Sequence, residues 1–174
     1  MKPDISIICP VFNEAAYLPN LLSFLAMVKP VNKEIIFIDG GSTDGSVALI
    51  KACSISNKSI KYYHNPNKTV PFALNIGIEN ASADIISRID AHSVYADDYF
   101  EKILETFANV KADVVGGPTR TAFTNPFQEA VGYAISSKMG VGSSKVHQLD
   151  FEGYTDSVTF GAWKKEIFQT VGMF

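Results

Sequence analysis

Arg88, Asp90 and His92 form the group in this chain whose residue types are best suited to chemistry, within the stretch RIDAHS at 88–93. They close an apolar run at 84–89. In an extended strand, side chains at i and i+2 point to the same face, so all three are expected on one face. A carboxylate and an imidazole just past a buried strand can hold a divalent cation, and a cation there can sit against a diphosphate. Taken alone, an Asp-x-His pair also reads as two surface polar residues. Its surroundings favour the cation.

Three more polar clusters follow apolar runs. Asp39 opens DGGSTDGS at 39–46. Gly40 and Gly41 permit close backbone approach or positive φ, and Thr43 or Asp44 can cap the helix that follows. A tight turn with a capped helix accounts for residues 42–45. It leaves unexplained an acid at the tip of an apolar strand, where a carboxylate can accept from a ribose hydroxyl or a base N–H. Pro10, Phe12 and Glu14 belong to PVFNE at 10–14. Phe12 reads as a core residue or as a stacking surface for a base, and Glu14 as a site residue or as a carboxylate favouring a helix start. Lys68 lies in the polar loop 65–69, either solvated or meeting a phosphate as a mobile point charge. Asn75 reads as a site residue or as a buried contact.

The elements that must position these clusters alternate regularly. Apolar runs at 5–11, 34–38, 60–63 and 84–89 are separated by helical patterns at 14–27, 44–52 and 71–79. Unbroken apolar strands between helices indicate a parallel sheet covered on both faces. The expected fold class is α/β, a Rossmann-like doubly wound, mostly parallel sheet in a single domain. Ligands of such sheets bind beyond the carboxyl ends of the strands, so the four clusters should meet at one rim. Further on, helices are expected at 96–110, 126–138 and 164–170, strands at 112–117 and 154–160, and a loop at the Gly/Ser-rich 139–145.

Bulk properties exclude several classes. At 174 residues the chain is long enough for one well-buried core. The formal charge of -3 argues against a nucleic-acid partner. No apolar run reaches the length of a membrane span, and the apolar run 17–28, interrupted by Pro19 and Asn20, reads as an amphipathic helix. No separate signal peptide precedes the first strand. Cys9 and Cys53 are expected as buried free thiols in a reducing cytoplasm. The first strand is followed by PVFNE instead of a Gly-x-Gly-x-x-Gly loop, and no phosphate-binding Gly-Lys-Ser/Thr loop occurs, so dehydrogenase and P-loop readings fail.

With the clusters in view, the chain resembles the family-2 glycosyltransferases of GT-A fold. The residues that carry the resemblance are PVFNE at 10–14, DGGSTDGS at 39–46, NKTVPFALNIGI at 67–78 and RIDAHS at 88–93. Asp-Ala-His in place of the family's usual Asp-x-Asp is similar to the bacterial exopolysaccharide glucosyltransferases of succinoglycan-biosynthesis type, as are the later GGPTRT, SSKMGVGSSK and TDSVTFGAWKKEIF. The resemblance implies that Pro10, Phe12, Glu14 and Asp39 line the nucleoside end of a UDP-sugar pocket, with Lys68 near the base or diphosphate. It implies Mg²⁺ or Mn²⁺ on Asp90, with His92 a second ligand or a close neighbour. An imidazole supplies less charge than a carboxylate and favours Mn²⁺. It implies Gly161, Ala162 and Trp163 beside the sugar or acceptor.

The chemistry implied is an inverting displacement onto a saccharide or lipid-linked acceptor, at the inner face of the cytoplasmic membrane. The family's base lies in an acidic segment beyond a Val-Gly-x-Phe stretch, matched here by residues 171–174, and Asp150, Glu152 and Asp156 do not sit in that motif. The expectation is a donor-binding part whose base, part of the acceptor site and any membrane attachment lie past Phe174. Two alternatives stand beside it. A nucleotidyltransferase needs a Gly-rich basic loop after the first strand, which PVFNE does not supply. A non-catalytic nucleotide- or protein-binding module would bind without turnover. A phospho-acceptor role for Asp39 lacks its supporting acidic pair.

Overall fold

A computed structural model describes residues 1–118, 123, 125–137, 151–158 and 160–174. The chain divides into two compact units, 1–115 with 160–174, and 116–159. The whole sheet lies in the first.

Four strands form in the order of the apolar runs: β1 (Ile5–Val11), β2 (Lys33–Asp39), β3 (Ile60–His64) and β4 (Ile85–Arg88). Helices α1 (Leu18–Met27), α2 (Ser46–Ser56) and α3 (Val70–Asn80) connect them, and α4 (Tyr99–Asn109) follows β4. The six-stranded sheet runs β3-β2-β1-β4-β6-β5, completed by β5 (Val114–Val115) and β6 (Ala162–Lys164). Pairings among β1 to β4 are parallel, while β6 is antiparallel to both its neighbours. The doubly wound, mostly parallel α/β sheet expected from the sequence is therefore present.

The two-residue period of β1 sorts its side chains between two cores. Ile5, Ile7, Cys9 and Val11 pack with Leu18, Leu21 and Leu25 of α1, Ile50 of α2 and Phe100 of α4. Ile8 packs on the other face with Ile36, Ile38 and Ile86 and with Ala73, Leu74 and Ile78 of α3. Gly77 lets α3 approach closely, since a Cβ there would come 2.6 Å from Ile8 Cγ2. Near the starts of these strands, the buried Glu34 carboxylate accepts from Ser6 Oγ and the Ser82 N–H, and from Lys61 Nζ at 2.5 Å. This polar knot ties β1, β2, β3 and the α3–β4 link at the end of the sheet away from the strand tips.

Several expectations shift. Residues 14–17 form a turn instead of a helical start, with the Glu14 carbonyl accepting from the Tyr17 and Leu18 N–H groups. The expected strand at 154–160 is not one among its described residues. The sixth strand is Ala162–Lys164, and it exists because it pairs with β4 and β5. The strand expected at 112–117 shrinks to Val114–Val115, and the last helix, α6, is Ile167–Val171. Cys9 and Cys53 are free thiols, but only Cys9 is fully buried. Asn75 brackets the backbone of Phe174, donating to its carbonyl at 2.8 Å and accepting from its N–H at 2.9 Å. Among the described residues no helix is long and apolar enough to cross a membrane.

In the second unit, α5 (Pro126–Ser136) is capped by Asn125, whose side chain accepts from the Gln128 N–H at 2.9 Å. The Gly/Ser-rich stretch 139–145, parts of the GGPTRT and SSKMGVGSSK motifs, and Asp150 lie outside the described residues.

Candidate functional site

The tips of β1 and β2 are joined through side chains of the DGGSTDGS stretch. Ser42 Oγ accepts from the Asn13 N–H at 2.8 Å, Ser46 Oγ from the Glu14 N–H at 2.9 Å, and Asp44 Oδ2 from the Ala15 N–H at 2.8 Å. In return Asn13 Oδ1 accepts from the Thr43 N–H at 2.9 Å. The Ser46 hydroxyl, then the Ala15 N–H, hold the Asp44 carboxyl below its usual range. Neither Thr43 nor Asp44 is the residue that precedes α2; that is Gly45, at φ 99°. Asp44 still takes the Ser46 N–H at 3.0 Å, so the turn is braced as a cap would brace it.

Beyond the strand tips lies a cleft of about 140 Å³. A cavity near that size accommodates one benzene-sized ring, so any larger ligand must extend from it along the rim. All four clusters contribute: Pro10 at the end of β1 with Phe12 and Glu14 beyond it, Gly40 after β2, Asn65 and Lys68 after β3, and Arg88 at the end of β4 with Asp90 and His92 beyond it. The convergence expected at one rim is what the fold produces.

Phe12 presents a half-exposed ring to this cleft, 56% accessible. Lys68 sits at φ 62° in a loop braced by Asn65, whose side chain donates to the Thr69 carbonyl and accepts from the Asn67 N–H. That loop packs against the tip of β2: a Cβ on Gly40 would stand 3.4 Å from the Lys68 carbonyl, in ordinary van der Waals contact. Asp39 is 1% accessible and does not line the cleft. Its carboxylate turns into its own loop, accepting from the Gly41 N–H at 2.9 Å and the Ser42 N–H at 3.2 Å.

β4 stops at Arg88, and residues 91–92 turn, so the extended-strand argument for a shared face does not apply beyond residue 88. Asp90 and His92 nevertheless reach the same cleft with different partners. Arg88 holds the Asp90 carboxylate, and its guanidinium also lies 5.5 Å from the centre of the Phe160 ring. The Asp90 N–H donates to the Tyr95 hydroxyl at 2.8 Å. Burial, offset in part by that bond, pushes Tyr95 up to about 12, so it stays a neutral phenol. His92 Nδ1 lies 2.9 Å from Glu14 Oε1. Beneath them, burial first and then the Asp90 and Glu14 carboxylates raise the Cys9 thiol well above its ordinary range, which makes it inert as a nucleophile.

Among the described residues, no three His, Cys, Asp or Glu side chains are grouped to enclose a metal ion. Asp90 and His92 fit a different mode. A cation of the Mg²⁺ or Mn²⁺ kind is commonly held by one or two protein ligands while substrate phosphates complete its shell.

Residues 6–172 match the family model for glycosyl transferase family 2. The chain belongs to glycosyl transferase family 2. Among family-2 relatives, the succinoglycan biosynthesis protein ExoA of Rhizobium meliloti (strain 1021) is 33% identical over 142 residues, covering 80% of this chain and 43% of the relative. The chain thus spans less than half of that protein, and the likeness bears out the narrower resemblance drawn from Asp-Ala-His. A mannosyltransferase from Pyrobaculum calidifontis, solved with GDP-Man and Mn²⁺, superposes with TM-score 0.71 at 17% identity, over 100% of this chain and 48% of that one. TarS residues 1–349 of S. aureus, solved with UDP-GlcNAc, superpose with TM-score 0.70 at 16% identity, over 96% of this chain and 47% of that one. At those identities the likeness establishes the GT-A fold.

Arg88 is expected beside Asp90 but without a stated role; in the structure it is the last residue of β4, and its guanidinium holds the Asp90 carboxylate. Sequence reasoning gave Asn65 no separate role, and Tyr17, whose ring meets His92 edge-on at 6.0 Å, was not singled out. Gly161, Ala162 and Trp163 do not line the cleft. The Gly161 carbonyl accepts from the Arg88 N–H, Ala162 is buried in β6, and Trp163 packs against Phe168 and Phe174.

Proposed function

We propose that this chain forms the donor-binding part of an inverting glycosyltransferase that moves a hexose from a UDP-sugar to a saccharide or lipid-linked acceptor in polysaccharide biosynthesis. The observation that carries this reading is the convergence of Phe12, Lys68, Asp90 and His92, from three separate strand tips, on one cleft. Phe12 offers a face on which a base can stack. Lys68 has no carboxylate partner among the described residues and meets the diphosphate as a point charge. Asp90 and His92 hold Mn²⁺ or Mg²⁺ at the diphosphate end.

The bound cation would supply neutralisation of the charge that develops on departing UDP. Asp39 acts from below by fixing the 40–42 backbone instead of touching the nucleoside. The catalytic base is assigned to none of the described residues: in the cleft, Asp90 is engaged by Arg88 and Glu14 by His92. We place the reaction on the cytoplasmic side, at the inner face of the membrane, where lipid-linked acceptors are presented.

Calorimetric titration of UDP, with and without Mn²⁺, tests the reading. Binding that tightens with Mn²⁺ supports it, and absence of binding in both conditions overturns it.

A further inference from the structure

We infer that Glu14 is a positioning residue for His92, holding the imidazole in the tautomer that leaves Nε2 free for the divalent cation. This rests on the donor-site reading above and assigns Glu14 a task other than lining the nucleoside.

Three features of the structure converge on it. The first is the contact itself. Glu14 Oε1 lies 2.9 Å from His92 Nδ1. A carboxylate only accepts, so Nδ1 carries the hydrogen, and a neutral ring then keeps its lone pair on Nε2. Metal-bound histidines commonly donate from their other nitrogen to a carboxylate, which fixes the ring and raises its basicity as a ligand.

The second is the rigidity of the acceptor. The Glu14 side chain is only 16% accessible, against 55% for His92. Its N–H is held by Ser46 Oγ, and its carbonyl receives the Tyr17 and Leu18 N–H groups at the start of α1. The carboxylate is thus a fixed post and the imidazole the part being placed. Tyr17 adds a second restraint, meeting the His92 ring at 67° with centroids 6.0 Å apart.

The third is charge. An imidazole brings no negative charge of its own to a cation. A Glu14 carboxylate hydrogen-bonded behind that ring adds one negative charge to the unit. Asp90 together with the Glu14–His92 pair then carries the formal charge of two carboxylates.

The test compares wild type, Glu14→Ala, Glu14→Gln, His92→Ala and the Glu14→Ala/His92→Ala double variant. Mn²⁺ is titrated in saturating UDP and free Mn²⁺ is followed by electron paramagnetic resonance. The ¹⁵N shifts of the His92 ring are read in the metal-free protein. The expected result is a hydrogen on Nδ1 in wild type, roughly 10- to 100-fold weaker Mn²⁺ binding in Glu14→Ala, and a smaller loss in Glu14→Gln, whose amide oxygen still accepts. Glu14→Ala should add nothing once His92 is gone, and UDP binding without metal should not change.

Mn²⁺ affinity of Glu14→Ala within two-fold of wild type overturns the inference, as does a hydrogen on Nε2 in wild type. Equal loss of metal-free UDP binding overturns it too, returning Glu14 to the nucleoside pocket. Failure of the donor-site reading looks different: wild type itself then binds no Mn²⁺ in the presence of UDP.

Discussion

Arg88 grips both carboxylate oxygens of Asp90, Nε to Oδ1 at 3.1 Å and Nη2 to Oδ2 at 3.3 Å. A cation arriving at Asp90 must compete with this guanidinium. The pair is partly accessible, at 27% and 17%, so its strength is that of a screened pair, about 1 kcal/mol or less. Arg88→Met should therefore tighten Mn²⁺ binding without nucleotide by up to roughly five-fold. Asp90→Ala should remove the Mn²⁺-dependent part of UDP affinity while lowering Tm by no more than about 2–4 °C. Calorimetry and thermal unfolding check both variants. UDP affinity that still rises with Mn²⁺ in Asp90→Ala would take Asp90 out of the site.

Phe12 is a large apolar side chain that the cleft leaves half exposed, and the two buried cores do not include it. Its truncation should cost little stability, within about 0.5 kcal/mol as for surface positions generally. Stacking on a nucleobase is worth about 1–3 kcal/mol, so Phe12→Ala should weaken uridine and UDP alike by that amount, with or without metal. Uridine titration decides it. An unchanged affinity assigns the base to another part of the rim.

The Asp39 carboxylate is engaged by its own loop. Buried, it takes the Gly41 and Ser42 N–H groups, and Gly41 is held at φ 93°. Asp39→Ala leaves those donors unpaired, a loss of about 1.5–3 kcal/mol for bonds to a charged group, or roughly 3–12 °C in Tm for a chain of this size. Uridine affinity should fall only as the loop loosens, and Asp39→Asn should retain more stability than Asp39→Ala. A full-strength Tm together with lost uridine binding would restore Asp39 as a direct ligand contact.

The parallel half of the sheet was legible because its central strands β1 and β2 are apolar runs buried on both faces, and such burial leaves a direct mark on residue type. β6 leaves no such mark. Ala162, Trp163 and Lys164 form a strand only through antiparallel pairing with Ile85–Ser87 and Val114–Val115, a tertiary fact. The rim was legible because each run ends in polar residues. Partner choice at the rim was not. Whether Asp39 bonds a loop N–H or a ligand depends on how residues 40–42 curl. The Glu14–His92 contact joins residues 78 apart in sequence, and only the folded sheet brings them together.

Glu34 offers a stability test remote from the cleft. Its carboxylate is 5% accessible and accepts from Ser6 Oγ, the Ser82 N–H, Ser82 Oγ at 3.1 Å and Lys61 Nζ. Burial alone raises a carboxyl, but the bonds from Lys61, Ser6 and Ser82 outweigh it and bring Glu34 below its ordinary value. A carboxyl lowered by folding stabilises the native state above its unfolded value of about 4.3. That contribution is lost as pH falls through the lower, folded value. Lys61 is 34% accessible, so its share is screened and the neutral donors matter most. Glu34→Gln should cost about 1–3 kcal/mol at pH 7, or roughly 2–12 °C in Tm, and the gap to wild type should narrow as pH drops below about 4. Thermal unfolding of both proteins from pH 7 down to 3 reads this directly. A gap that keeps its size throughout would mean that shape and packing, rather than the charge on Glu34, hold the knot beneath the sheet.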